Sequence, residues 1–216
     1  MISKKNFLQV MEIIAEMFPE AKGELNWETP FQLLIAVILS AQTTDKGVNK
    51  ATPALFAQYP DAQSLAVAKV EEVETYIKTI GLYRTKAKNI VKTAQMIVKV
   101  FDGEIPQDKK TLQTLAGVGR KTANVVLGEA FGVPGIAVDT HVERVSKRLD
   151  LVLQKATVTE VEEKLMKVLP ENEWIADHHR LIFFGRYHCL ARAPKCEICP
   201  VLQYCKFGKG KINDPS

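Results

Sequence analysis

The chain has 216 residues, 46% of them hydrophobic and 25% charged, with a net charge of +4 and a pI of about 8.8. That length allows one large domain or two small ones, and the apolar fraction is enough for a proper core. No stretch reaches transmembrane length, and Lys4 and Lys5 precede an amphipathic pattern with no small-residue cleavage site, which excludes a spanning or secreted reading and predicts a cytoplasmic location, nucleoid-associated if bacterial.

Ser3 caps a first helix whose apolar positions Phe7, Val10, Met11, Ile14, Met17 and Phe18 recur at three-and-four spacing. Pro19 and Gly23 end it. Thr29-Pro30 is a second start signal, Thr as cap and Pro at the first helical position, for a helix from Phe31 to Ala41. That helix is apolar nearly all round and too short to span a bilayer, so it reads as a buried core helix. Asp45 is the expected cap of a third helix reaching about Tyr59. Short helices follow at 61–66 and 70–80, with Gly81 as a C-terminal cap. Residues 84–101 read as a longer helix, apolar at Ala87, Ile90, Val91, Ala94, Ile97 and Val98, with Lys86, Lys88, Lys92 and Lys99 on its other face. Asp102-Gly103 is a turn. Residues 133–138 read as extended, 139–149 as helical, and 157–169 and 172–189 as the last two helices. With no convincing period-two strand, the fold class is all-α.

Chemistry concentrates in three stretches. In Leu112-Gln-Thr-Leu-Ala-Gly117-Val118-Gly119-Arg120-Lys121, two glycines around one apolar residue suit a sharp helix-to-helix hairpin. The bare amides of the following helix make an anion site, to which Arg120 and Lys121 add charge. Taken alone, the stretch also fits an ordinary helical turn. At Lys121 the dipole and the neighbouring cation disfavour an ammonium, and a neutral amine is a nucleophile; a surface lysine contacting phosphate is the plainer reading. Asp139, in Gly-Ile-Ala-Val-Asp-Thr-His141, reads as a helix N-cap. A carboxylate there can also stabilise developing positive charge or assist deprotonation of an amine. Finally, all four cysteines fall between Cys189 and Cys205, in the pattern Cys189-x6-Cys196-x2-Cys199-x5-Cys205. In a reducing compartment such a group reads as a metal or cluster site, and four thiolates suit either tetrahedral zinc or a four-iron cluster. From His178 to Ser216 seven Lys/Arg face two acidic residues, a local +5 that leaves −1 for the rest. That suits a phosphate-facing surface or a solubilising tail.

The three stretches, in this order, resemble the helix–hairpin–helix, the catalytic-aspartate segment and the iron–sulfur loop of the endonuclease III family of DNA repair glycosylases. The resemblance covers nearly the whole chain. It implies two helical lobes with a DNA-binding groove between them: a six-helix domain over 22–133, and a cluster domain made of 1–21 and 134–216. It implies a bifunctional glycosylase and apurinic/apyrimidinic lyase acting on oxidised or ring-saturated pyrimidines. By resemblance Lys121 matches the lysine that attacks the sugar C1′, expels the base and forms the Schiff base for β-elimination, and Asp139 matches the catalytic aspartate. The six–two–five cysteine spacing resembles the family's [4Fe–4S] loop, whose Arg192 and Lys195 can meet phosphate. Gln42 looks like the glutamine inserted where the extruded base was, and Leu82 like an apolar wedge. Gly117, Val118, Gly119, Arg120 and His141 complete the expected DNA contacts. The partner is duplex DNA carrying damaged bases or abasic sites, met by a monomer. The rivals are a monofunctional glycosylase of the same superfamily, against which Lys121 argues, and a non-catalytic DNA-binding module with a four-cysteine metal site.

Overall fold

The computed structural model describes residues 1–213, and these are helical with no strand among them. The chain forms two compact units, one of Glu24–Val133 and one in which Met1–Gly23 joins Pro134–Ser216.

The continuous unit holds α2 (Pro30–Leu39), α3 (Asp45–Gln58), α4 (Ala62–Ala66), α5 (Val70–Ile77), α6 (Tyr83–Phe101), α7 (Lys109–Leu112) and α8 (Arg120–Phe131). Thr29 caps α2 through its hydroxyl, with Pro30 in the first turn, as the sequence predicts. From Phe31 to Leu39 every residue is buried, so α2 is the central helix of this unit, packed against α8, α3 and α6. Helices α4 and α5 lie on α6 and bury Leu65, Val73 and Ile77 with Ile90, Ala94 and Ile97.

Three local expectations change. The cap of α3 is Thr44, whose hydroxyl accepts the Gly47 amide at 3.2 Å, and Asp45 is the first helical residue, where its charge faces the positive helix end. Helix α5 stops at Ile77 and Gly81 is not left-handed; the left-handed residue is Leu82, at φ 59°. Lys86 does not share the solvated face of Lys88, Lys92 and Lys99: it is 5% exposed.

The second unit holds α1 (Lys4–Met17), α9 (Thr140–Arg148), α10 (Val158–Val168), α11 (Trp174–Phe183) and α12 (Lys206–Asn213). Its core joins Phe7, Val10, Met11 and Ile14 of α1 to Val142 and Val145 of α9, Val161 and Leu165 of α10, and Leu181 and Phe184. Residues 133–138, expected extended, form no strand but bury Ile136, Ala137 and Val138. The expected helix 172–189 is divided: a 3-10 turn at Glu171–Glu173, α11, then a π-helical turn at Phe184–His188 closed by the Cys189 amide donating to the Phe184 carbonyl at 2.7 Å. The extra residue of a π turn re-aims the chain beyond it, here the first cysteine. Sequence periodicity misses α12, because two glycines and three lysines hide its pattern.

Candidate functional site

The hairpin between α7 and α8 is built as a backbone device. Gly117 is left-handed at φ 79°, and a Cβ there would lie 3.1 Å from both Asn89 Nδ2 and Ile38 Cγ2, so glycine is required twice over. Gly119 is different: it is extended at φ −91°, with open space where a Cβ would go. It stands at the N-cap of α8 and supplies no side-chain cap. The first amides of α8 therefore face outward with Arg120 and the exposed Lys121 in the same turn. Val118 is 6% exposed and pins the turn to the core, and Thr93 Oγ1 donates to the Ala116 carbonyl at 2.9 Å. Two turns along α8, burial and the charge of Asp45 push the Glu129 carboxyl up to about 7, while a hydrogen bond with Trp27 and the charge of Lys121 pull it down.

In the same unit, Gln42 and Leu82 are exposed at loop tips, each in left-handed backbone at φ 55° and 59°. Such geometry is unfavourable for residues with a Cβ, which makes the pair conspicuous. A Cβ on Gly81 would meet Gln42 O at 3.8 Å and Thr43 Oγ1 at 3.9 Å, so the two loops lie side by side.

Asp139 is the N-cap of α9, with Oδ1 accepting the amides of His141 and Val142, each at 2.8 Å. One turn on, Arg144 ties this helix to the π turn and the first cysteine. Its Nη2 donates to Gly185 O at 2.7 Å and its Nε to Cys189 O at 3.2 Å, and Nη2 also lies 3.1 Å from His141 Nδ1. A Cβ at Gly185 would come within 2.8 Å of His141 Cβ, so this glycine sets how closely the turn approaches α9. Arg148, a further turn along, donates to Leu190 O at 2.6 Å and Ala191 O at 3.0 Å, and lies 3.4 Å from Cys189 Sγ. Its guanidinium stacks over Phe207 at 4.3 Å.

The four cysteines line one cavity together with Arg148, His188, Leu202, Phe207 and Gly208, which opens partly to solvent. Among the described residues no three His, Cys, Asp or Glu side chains converge so as to hold a single metal ion. Four thiols lining one space are a donor set that fits an iron–sulfur cluster. A Cβ on Gly208 would stand 3.7 Å from both Cys196 Sγ and Cys205 Sγ and 2.9 Å from Leu202, so glycine keeps this wall clear. Burial pushes the Cys199 thiol up to about 11 and also raises Cys196 and Cys205. Iron takes the thiolate, so loading must release these protons. The Gly208 amide, 3.3 Å from Cys205 Sγ, and Arg148 supply N–H groups of the kind that stabilise cluster sulfur. Arg192 and Lys195 are exposed on the loop between the first two cysteines, where Ala193 is left-handed.

The HhH-GPD superfamily base excision DNA repair proteins match residues 35–171, and the iron-sulfur binding domain of endonuclease III matches residues 189–205. Endonuclease III of Bacillus subtilis is 51% identical over 97% of this chain and 95% of its own length. The chain belongs to the endonuclease III family. The Escherichia coli enzyme is 48% identical over 98% of the chain and 100% of its own length. Among solved structures, a non-covalent endonuclease III–DNA complex superimposes at a TM-score of 0.97 with 51% identity, covering 99% of this chain and 100% of that one. A trapped endonuclease III–DNA covalent intermediate superimposes at 0.96, also with 51% identity, over 98% and 100%. The protein is thus a bifunctional base-excision-repair DNA glycosylase and abasic-site lyase, and its cofactor is a [4Fe–4S] cluster. No helix among the described residues is long and apolar enough to cross a membrane.

Sequence reading misses Lys86, Arg144, Arg148 and Gly208. The two arginines carry one signal, a spacing of four on the helix that Asp139 opens, but nothing local says that they reach a loop 40 residues on.

Proposed function

We propose that the protein excises oxidised or ring-saturated pyrimidines from duplex DNA as a cytoplasmic monomer, with Lys121 as the nucleophile. The observation that carries this reading is the N-terminus of α8, which Gly119 leaves without a side-chain cap of its own and which suits a phosphate, with an exposed lysine in the same turn. A neutral Lys121 amine attacks C1′, the base departs with the glycosidic electron pair, and the resulting imine permits β-elimination at the 3′ side. Asp139 is the carboxylate that stabilises the developing positive charge on the sugar or takes a proton from the attacking amine. Gln42 and Leu82 fill the stack left by the extruded base. Gly117 to Arg120, His141, Arg192 and Lys195 contact the DNA backbone.

We assign the cluster to Cys189, Cys196, Cys199 and Cys205. When bound, it organises the basic loop that these cysteines bracket, and it supplies no step of base excision.

The test is borohydride trapping on a duplex with one abasic site, for wild type and Lys121→Gln. An adduct in wild type only is expected. An adduct in both variants would move the nucleophile to another amine, and none in either, from folded brown protein, would overturn imine chemistry.

A further inference from the structure

Lys86 is a buried lysine that no step above uses. It lies one turn inside α6 and is 5% exposed, a rare state for an ammonium without partners. The partners of its ammonium lie at the end of α2 and in the loop that follows it. The Nζ donates to Leu39 O at 2.9 Å, to Ala41 O at 2.6 Å and to Thr43 Oγ1 at 2.9 Å, which uses all three of its hydrogens. Two acceptors flank Gln42 directly, and the third is the last residue of α2. The helix that carries this side chain starts at Leu82, whose carbonyl accepts the Lys86 amide at 3.0 Å in the first main-chain bond of α6. The Lys86 side chain therefore ties the Gln42 loop to the first turn of the helix that the left-handed Leu82 opens.

We propose that Lys86 is a positioning residue that clamps the Gln42 loop against the Leu82 turn, so that both side chains enter the duplex as one preformed wedge. This rests on the reading of Gln42 and Leu82 as the inserting residues. The physical need is clear. Both tips hold backbone that their own residues disfavour, and such conformations persist only where the surroundings over-determine them. A charged donor fixes carbonyls more firmly than a neutral one, and burial removes competing water. The cost shows in the ammonium itself, whose pKa burial pushes down. A core that needed only to pack would take a methionine here. Lysine is favoured by the loop's requirement for three donors at one point.

The experiment compares wild type, Lys86→Met, Gln42→Ala, Leu82→Ala and the double variant Lys86→Met/Gln42→Ala on two substrates. One carries an oxidised pyrimidine in a fully paired duplex. The other carries an abasic site inside an unpaired bubble, where no stack has to be opened. Thermal unfolding and the visible absorption of the cluster monitor folding. Lys86→Met is expected to lower excision from the paired duplex by roughly 30-fold, with Gln42→Ala similar, and to leave borohydride trapping on the bubble within about threefold. The double variant is expected to match the worse single variant, because both changes remove one device. Full additivity, or equal losses on the two substrates, would mean that Lys86 only supports the fold, and would overturn the proposal. If Gln42→Ala and Leu82→Ala both leave paired excision unchanged, the reading of the loops fails and the proposal with it. Should Lys86→Met not fold, Thr43→Val decides: removing this one acceptor is expected to lower paired excision by about three- to fivefold without touching the bubble, and no change overturns the clamp.

Discussion

Two helix N-termini in this protein are given opposite treatments. Helix α9 begins with Asp139, whose Oδ1 takes the amides of His141 and Val142, so the positive end of that helix is filled by a carboxylate from its own chain. Helix α8 begins with Gly119, which has no side chain to give, and continues with Arg120 and Lys121. The orphan amides and the dipole are the same in both; only the source of the negative charge differs. The capped end holds its carboxylate fixed between two amides. The uncapped end has no anion from its own cap residue, and in the reading proposed above a DNA phosphate supplies it.

The largest effect is expected where the two roles of one cap are separated. Asp139→Asn keeps an oxygen for both amides, so denaturation midpoints should stay within about 0.5 kcal/mol of wild type. Its single-turnover excision rate should nonetheless fall by roughly 100- to 10,000-fold, because the charge is gone. A variant that kept its rate would make Asp139 a cap and nothing more. The next effect comes from making the open end resemble the closed one. Gly119→Asp meets no steric obstacle, since nothing lies within 4 Å of the new Cβ and the backbone is already extended. Denaturant titration should show it to be more stable by a few tenths of a kcal/mol. Its affinity for abasic duplex, measured by fluorescence anisotropy, should drop by roughly 10- to 100-fold, the worth of charge-assisted bonds to one phosphate. Undiminished affinity would show that the end of α8 holds no phosphate.

Much of this is legible in the sequence, and the exceptions share a cause. Helices α1 and α2 declare themselves through Ser3, Thr29-Pro30 and apolar spacing, because caps and periodicity are local. The hairpin is legible for the same reason, although it takes coordinates to see that Gly117 is needed for its conformation and Gly119 for its lack of a side chain. Periodicity puts Lys86 among four solvated lysines because its partners lie 43 to 47 residues earlier. It makes Gly81 a cap because glycine is the cheaper left-handed residue, yet the chain puts Leu82 there. The arginines of α9 depend on a loop that folds back from 40 or more residues away, and the cleared wall at Gly208 on a loop with no periodic pattern. Local grammar names the elements; long-range polar contacts, which give the candidate site its geometry, leave no periodic trace.

Two smaller effects distinguish a phosphate held by dipoles from one held by ions. Gly117→Ala forces a Cβ into left-handed backbone and against Asn89 and Ile38, so it should cost about 1–2 kcal/mol in chemical denaturation. Gly132→Ala at the other end of α8 is the control. It shares a positive φ of 65° but has open space, so it should cost less and leave DNA affinity alone. Because amides release no counterions, the loss of affinity in Gly117→Ala should be the same at every salt concentration. Lys195→Ala should behave in the opposite way. The side chain is exposed on the cysteine loop and contributes a mobile charge, so its removal should leave stability within about 0.5 kcal/mol. It should weaken binding to damaged and undamaged duplex alike, and reduce the slope of log K against log salt by about one. If the two variants showed the same change of slope, the distinction between the bare helix end and the basic loop would collapse into one undifferentiated positive surface. If only Lys195→Ala changed it, the protein would be holding its DNA by two separable means.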